Sequence, residues 1–79
     1  MKIEVCYFAA YREATGTASE TLDTQAGTAA ELFSECARRH PDLQSWSASL
    51  VAVNDEMADW KRPLADGDTV LFFPPVAGG

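Results

Sequence analysis

The amino-acid sequence predicts an α+β fold in which one main helix packs on a mixed sheet of short strands. Three segments carry that prediction. Residues Lys2 to Phe8 follow the period of a strand, with Ile3, Val5 and Tyr7 on one side and Glu4, Cys6 and Phe8 on the other. Ala29, Leu32, Phe33, Cys36 and Ala37 recur at the spacing of one helix face. Thr69 to Phe73 is a run of β-branched and aromatic residues directly after an Asp-Gly-Asp turn.

The remaining elements fit between these three. Ala9 to Thr15 reads as a short helical turn or loop, closed by Gly16. Glu20, Thr21 and Leu22 suggest a second strand that pairs with the first as a hairpin, through a connection too long for a two-residue turn. The main helix opens at Thr28. Thr28-Ala29-Ala30-Glu31 has the form of a capping box, in which hydroxyl and carboxylate satisfy N–H groups that lack partners within the helix. Arg38, Arg39 and His40 fall in the last turn, where cations complement the helix dipole, and Pro41 ends it. That end-of-helix role is preferred for His40 over a catalytic one. Asp42 to Ser49 reads as a polar loop around Trp46, Leu50 to Val53 as a short apolar strand, and Asn54-Asp55 as a turn. Met57 to Trp60 reads as a short edge strand. In Asp66-Gly67-Asp68, Gly67 supplies a positive φ and the aspartates bond nearby N–H groups. A metal role for that pair would need further ligands.

The order is strand, strand, helix, strand, short strand, strand. A single helix must bury its stripe on one face of the sheet. The first and last strands are the longest apolar runs and are expected as central neighbours. This is a β-grasp arrangement, as in ubiquitin, expected as one domain over residues 1–79 with a flexible C-terminal tail over 74–79. A chain of 79 residues with 47% hydrophobic residues suits one small folded domain.

Composition narrows the function. The net charge is −6, from 6 Lys and Arg against 12 Asp and Glu, so nucleic acid is not an expected partner. Asp55, Glu56, Asp59, Asp66 and Asp68 crowd the second half. A solvated face is the preferred reading, and a surface that steers toward a basic partner is the alternative. Cys6 and Cys36 are expected as buried, reduced thiols. A zinc site would need more ligands at closer spacing than Cys6, Cys36 and the single histidine, His40, supply. No secretory signal is visible, and no apolar stretch approaches the roughly 20 residues of a membrane span. The expectation is a cytoplasmic protein with no membrane partner.

Conventional active-site signals are missing: no glycine-rich phosphate loop follows a strand, and no Cys–His or Ser–His set can be built around one histidine. Attention moves to the last residues, Pro74-Pro75-Val76-Ala77-Gly78-Gly79. Pro74-Pro75 is a poor strand continuation and a stiff spacer. Gly78-Gly79 lacks Cβ atoms and can approach a surface closely. The expected design is a folded body, a stiff exit and a slim tip whose main-chain carboxylate carries the chemistry.

Two segments, Phe8-Ala9-Ala10-Tyr11-Arg12-Glu13-Ala14-Thr15-Gly16 and Asp66-Gly67-Asp68-Thr69-Val70-Leu71-Phe72-Phe73-Pro74-Pro75-Val76-Ala77-Gly78-Gly79, together resemble the small sulfur-carrier subunits of molybdopterin synthase. The middle of the chain matches only in pattern. The resemblance implies that the protein binds no cofactor and is not an enzyme by itself. An adenylating enzyme would use ATP to activate Gly79. A sulfur donor protein would then leave a thiocarboxylate there, and the large catalytic subunit would receive the tail and deliver sulfur to a pyranopterin. A heterotetramer of two small and two large subunits is the family expectation. The resemblance also implies tail recognition through Pro74, Pro75, Val76, Ala77 and Gly78. It places partner contacts at Phe8, Phe73 and Met57, where methionine replaces a different aliphatic residue common in the family, and at Arg12. Against this, Phe8 and Phe73 could be core, and Arg12 could pair locally with Glu13. Alternation along the strands does not decide which sheet face the helix covers.

Three other readings compete. A sulfur carrier for thiamine thiazole synthesis would share the fold and the diglycine. Phe-Phe-Pro-Pro-Val and the Arg12-Glu13 loop favour the molybdopterin branch. A ubiquitin-like protein modifier would join Gly79 to lysines of other proteins; this chain offers only Lys2 and Lys61 for polymeric linkage. A small interaction domain with an incidental diglycine is the blandest reading.

Overall fold

The computed structural model describes residues 1–8, 10–43 and 50–73. Five strands form one sheet: β1 (Lys2–Tyr7), β2 (Ser19–Asp23), β3 (Leu50–Val53), β4 (Glu56–Ala58) and β5 (Thr69–Phe73), in the spatial order β2-β1-β5-β3-β4. Two helices, α1 (Ala10–Thr15) and α2 (Ala29–Arg39), and a 3-10 turn, Pro41–Leu43, complete the described chain. β1 and β5 are central neighbours and run parallel, with Val5 beside Val70 and Tyr7 beside Phe72. β2 pairs antiparallel to β1, and β3 antiparallel to β5. The mixed β-grasp sheet anticipated from element order is therefore formed, with the first and last strands in its middle.

Which face is covered is settled by burial. Ile3, Val5, Tyr7, Val70 and Phe72 lie on the covered side and are buried with Ala29, Leu32 and Cys36 of α2. Phe33, half-buried, places its ring edge-on to Phe72 at 5.0 Å. The periodic apolar stripe of the helix is thus the stripe that packs.

Local details depart from expectation in three places. Thr28 is the N-cap of α2 and its Oγ1 accepts from the Glu31 amide at 3.3 Å, but the Glu31 carboxylate does not close a capping box on Thr28. It accepts instead from the Gly27 amide at 2.7 Å. The first two helical N–H groups, of Ala29 and Ala30, donate to the carbonyls of Arg62 and Trp60. The loop between β4 and β5 thereby satisfies donors that a helix leaves open. β4 spans Glu56–Ala58 and stops before Trp60, whose ring stacks on Phe72 at 5.9 Å and meets Phe33 edge-on at 5.4 Å. Trp60 belongs to the core side and not to an edge strand. The expected polar loop begins instead with the 3-10 turn, whose Leu43 is fully buried; residues 44–49 lie outside the described residues.

Turn chemistry follows the sequence. Asn54 and Asp55 adopt φ of 52° and 70° between β3 and β4, the left-handed pair that a two-residue hairpin requires. Gly16 closes α1 at φ 77°, and Gly67 turns the chain into β5 at φ 89°.

Candidate functional site

The face of the sheet turned away from α2 carries the candidate site. Register places Cys6 beside Leu71, Leu71 beside Ala52, and Ala52 beside Met57, one row across β1, β5, β3 and β4. A second row sets Phe73 beside Leu50. Phe8 follows directly on β1, and its amide donates to the Phe72 carbonyl at 3.3 Å. Alternation sends these side chains to the side opposite Val5 and Phe72. Phe8 is 61% exposed and Met57 62%, while Cys6, Leu71, Phe73 and Leu50 are half-buried. Toward the other end of the face the outward residues become polar: Glu4 opposite Thr21 and Thr69, and Lys2 opposite Asp23. The apolar end is the one at which β5 finishes with Phe73. Exposed apolar surface of this kind, gathered in one place, marks a docking face more often than a scatter of single residues does.

Phe8, Phe73 and Met57, named from the sequence, are therefore brought onto one face, and Phe8 is excluded from the core. Leu71 and Leu50 were missed as members of that face, as was Ala52, which lies in the same row but is buried. The signal that finds them is strand register, which alternation alone does not supply. Cys6 was expected to be buried; it is half-exposed because it shares the parity of Phe8. Arg12 lies on α1, whose Tyr11 is fully buried and anchors the helix, and Arg12 itself is exposed. Among the described residues it makes no ion pair, so the local pairing with Glu13 is not formed. The tail positions Pro74, Pro75, Val76, Ala77, Gly78 and Gly79 lie outside the described residues.

The remaining polar groups are structural. Burial pushes the Cys36 thiol up to about 11, and burial, with the Glu4 charge adding, also raises Cys6. Neither thiol is an ionised nucleophile at neutral pH. Asp68 Oδ1 accepts from Asn54 Nδ2 at 2.9 Å and its Oδ2 from the Ala65 amide at 2.8 Å. Those two bonds hold its carboxyl below the ordinary range. The Asp66-Gly67-Asp68 segment is thus a turn stitched to its neighbours, as expected. Beside the docking face, Met57, Ala58, Asp59, Lys61, Arg62 and Pro63 line an open hollow of about 400 Å³. Its one carboxylate, Asp59, accepts the Lys61 amide at 2.7 Å. Among the described residues no three His, Cys, Asp or Glu side chains are grouped to hold a metal, and no helix is long and apolar enough to cross a membrane.

A mixed five-stranded sheet covered by one main helix on one face, and apolar toward one end of the other, defines a ubiquitin-like β-grasp protein. The chain belongs to the ThiS family, which it matches over residues 5–79. It is 38% identical over 85 residues to the molybdopterin synthase sulfur carrier subunit of Escherichia coli, covering 98% of this chain and 99% of that one. It is also 38% identical over 82 residues to the subunit of the same name from Mycobacterium tuberculosis, covering 100% and 99%. Among solved structures, the fold matches small archaeal modifier protein 1 of Haloferax volcanii with a TM-score of 0.82 at 25% identity, covering 95% of this chain and 98% of that one. It also matches a chain of the complex of subunits 1 and 2 of the molybdopterin-converting factor from Helicobacter pylori, with a TM-score of 0.69 at 28% identity and full coverage of both chains.

Proposed function

We propose that this chain is the sulfur carrier of a molybdopterin synthase and acts as its small, non-catalytic subunit in the cytoplasm. The observation that carries the reading is the apolar end of the helix-free sheet face, which adjoins Phe73 immediately before the Pro74–Gly79 segment. End-to-end likeness to the Escherichia coli sulfur carrier subunit gives that face its meaning. The Helicobacter pylori complex of subunits 1 and 2 supports a second subunit as a partner of this chain, and this reading seats that partner on the apolar end of the face. Phe8, Met57 and Phe73 are the contacts this reading assigns to the partner, with Arg12 as a cation beside them.

The chemistry is that of Gly79. A free α-carboxylate has a pKa of about 3.5 and is an anion and a poor electrophile at neutral pH. Transfer of AMP from ATP, with release of pyrophosphate, makes it an acyl-adenylate. Attack by hydrosulfide that a sulfur donor supplies forms the C–S bond, expels AMP and, with loss of the S–H proton, leaves a thiocarboxylate. That sulfur is the nucleophile delivered to a pyranopterin in the large subunit, which supplies the acids and bases. Gly78 and Gly79 present no Cβ to a narrow channel, and Pro74-Pro75 lowers the ordering cost of docking.

The test is incubation with ATP, a sulfur donor and an adenylating enzyme proven on another carrier, followed by mass spectrometry of the C-terminal peptide. The peptide is required because methionine oxidation adds nearly the mass of an oxygen-to-sulfur exchange. Sulfur on Gly79 is the expected result; an unchanged Gly79 removes the carrier reading.

The likeness to a small archaeal modifier supports a second reading, in which Gly79 is joined to lysines of other proteins. Isopeptide-linked adducts in cells separate it from the first.

A further inference from the structure

Lys61 and Arg62 set two cations side by side on a chain whose net charge is −6. They belong to the loop between β4 and β5, and both line the open hollow of about 400 Å³ that begins at Met57. The one carboxylate of the hollow, Asp59, is turned onto the Lys61 amide at 2.7 Å, which leaves the hollow one net positive charge. Among the described residues neither cation stands within ion-pair distance of a carboxylate. The Arg62 charge acts on Asp68 from farther away, while Asp68 accepts its hydrogen bonds from Asn54 and Ala65. Lys61 is exposed and Arg62 half-buried.

The loop that carries them is fixed along its length. The Trp60 and Arg62 carbonyls accept from the Ala30 and Ala29 amides at 2.9 and 3.1 Å, and the Leu64 amide donates to the Gly27 carbonyl at 3.0 Å. The Arg62 amide donates to the Asp59 carbonyl at 3.1 Å, and the Trp60 ring stacks on Phe72 in the core. Cations rooted in a fixed main chain lose less freedom on meeting a ligand than cations on a loose one. The hollow also shares Met57, 62% exposed, with the docking face, so the two surfaces are continuous.

We propose, on the reading of this chain as the small subunit of a synthase, that the hollow is a seat for a carboxylate side chain of the second subunit. Arg62 is the planar fork that takes both oxygens of an Asp or Glu, and Lys61 is the point charge beside it. A partner resting on Phe8, Phe73 and Met57 reaches the hollow by following Met57 over the β4 edge. Away from the hollow, Asp55 and Glu56 at the β3–β4 turn repel a carboxylate. The apolar end of the face supplies adhesion and the seat supplies register: a partner acid displaced toward that turn meets like charge.

Calorimetric titration of the second synthase subunit into the full chain, at about 50 mM and about 500 mM salt, tests it. The variants are Lys61→Gln with Arg62→Gln, Lys61→Gln alone, and Arg38→Gln, which removes an exposed cation in the last turn of α2, outside the hollow. The double variant is expected to bind about five- to tenfold more weakly at low salt and within about twofold of wild type at high salt. Arg38→Gln is expected to match wild type at both. Lys61 is exposed and its side chain supports no other residue, so Lys61→Gln, expected to weaken binding about two- to threefold at low salt, carries the test alone where the double variant does not fold. A wild-type chain with no affinity for the second subunit overturns the small-subunit reading and the seat together. A wild type that binds, with the double variant equally tight at low salt, overturns the seat alone, as does an equal loss in Arg38→Gln. Inorganic phosphate that binds the free wild type and not the double variant, while both bind the subunit alike, assigns the hollow to a small anion and also overturns the seat.

Discussion

Phe8, Phe72 and Phe73 have the same side chain and three different fates. Phe72 is fully buried between the rings of Phe33 and Trp60, Phe73 is half-buried on the opposite face, and Phe8 stands 61% exposed. Strand parity and the side chosen by α2 account for all three. Phe72→Ala leaves a cavity in the middle of the core and is expected to cost about 3–5 kcal/mol, enough to unfold a chain of this size; loss of the cooperative transition in circular dichroism checks it. Phe8→Ala is expected to change stability by about 0.5 kcal/mol or less. It is also expected to weaken binding to the large synthase subunit by about tenfold or more, measured calorimetrically. Unchanged affinity would remove Phe8 from the docking face. Glu20 adds a pH limit. Burial acts to raise its carboxyl, but hydrogen bonds from Tyr7 and His40 and the charges of His40 and Arg39 outweigh that and hold it below its ordinary value of 4.5. A depressed carboxyl stabilises the fold fully above its unfolded value and loses that contribution as pH falls through the folded one. In acid titrations below about pH 4.5 the wild type is therefore expected to lose stability more steeply than Glu20→Gln.

At the scale of elements, α2 shows what was legible. Its apolar period, threonine cap and terminal proline appear in the sequence because each is a local requirement of a helix. β5 likewise runs over Thr69–Phe73 as its composition and preceding turn indicate. What was not legible is non-local. The Glu31 carboxylate reaches Gly27, not Thr28, and the Arg62 and Trp60 carbonyls of a loop distant in sequence accept from the first helical N–H groups. Trp60 leaves the strand pattern because the aromatic core draws it in. Leu71 and Leu50 join the apolar end of that face through register, which appears only when strands from distant parts of the chain pair. Thr28→Ala removes the acceptor of the Glu31 amide and is expected to cost about 1 kcal/mol, read from the midpoint of a urea titration at unchanged slope.

At the scale of the molecule, one main helix covers one face of the sheet, and the apolar end of the other is the surface proposed to meet a partner. The described sheet is held together by β5, the only strand that touches both β1 and β3. Residues 1–67 alone are expected to remain unfolded, with no dispersed amide signals in NMR, although they contain both helices and four of the five strands. A folded fragment would mean that β1 and β3 find another partner.

The parallel pairing of β1 with β5 also governs when the protein can fold during synthesis. The β1–β2 and β3–β4 hairpins leave the ribosome first, each with an open strand edge and an uncovered apolar face. Neither can be completed until β5 is translated, because the strand that belongs between them comes last. Acquisition of structure is expected as one late event that waits on β5.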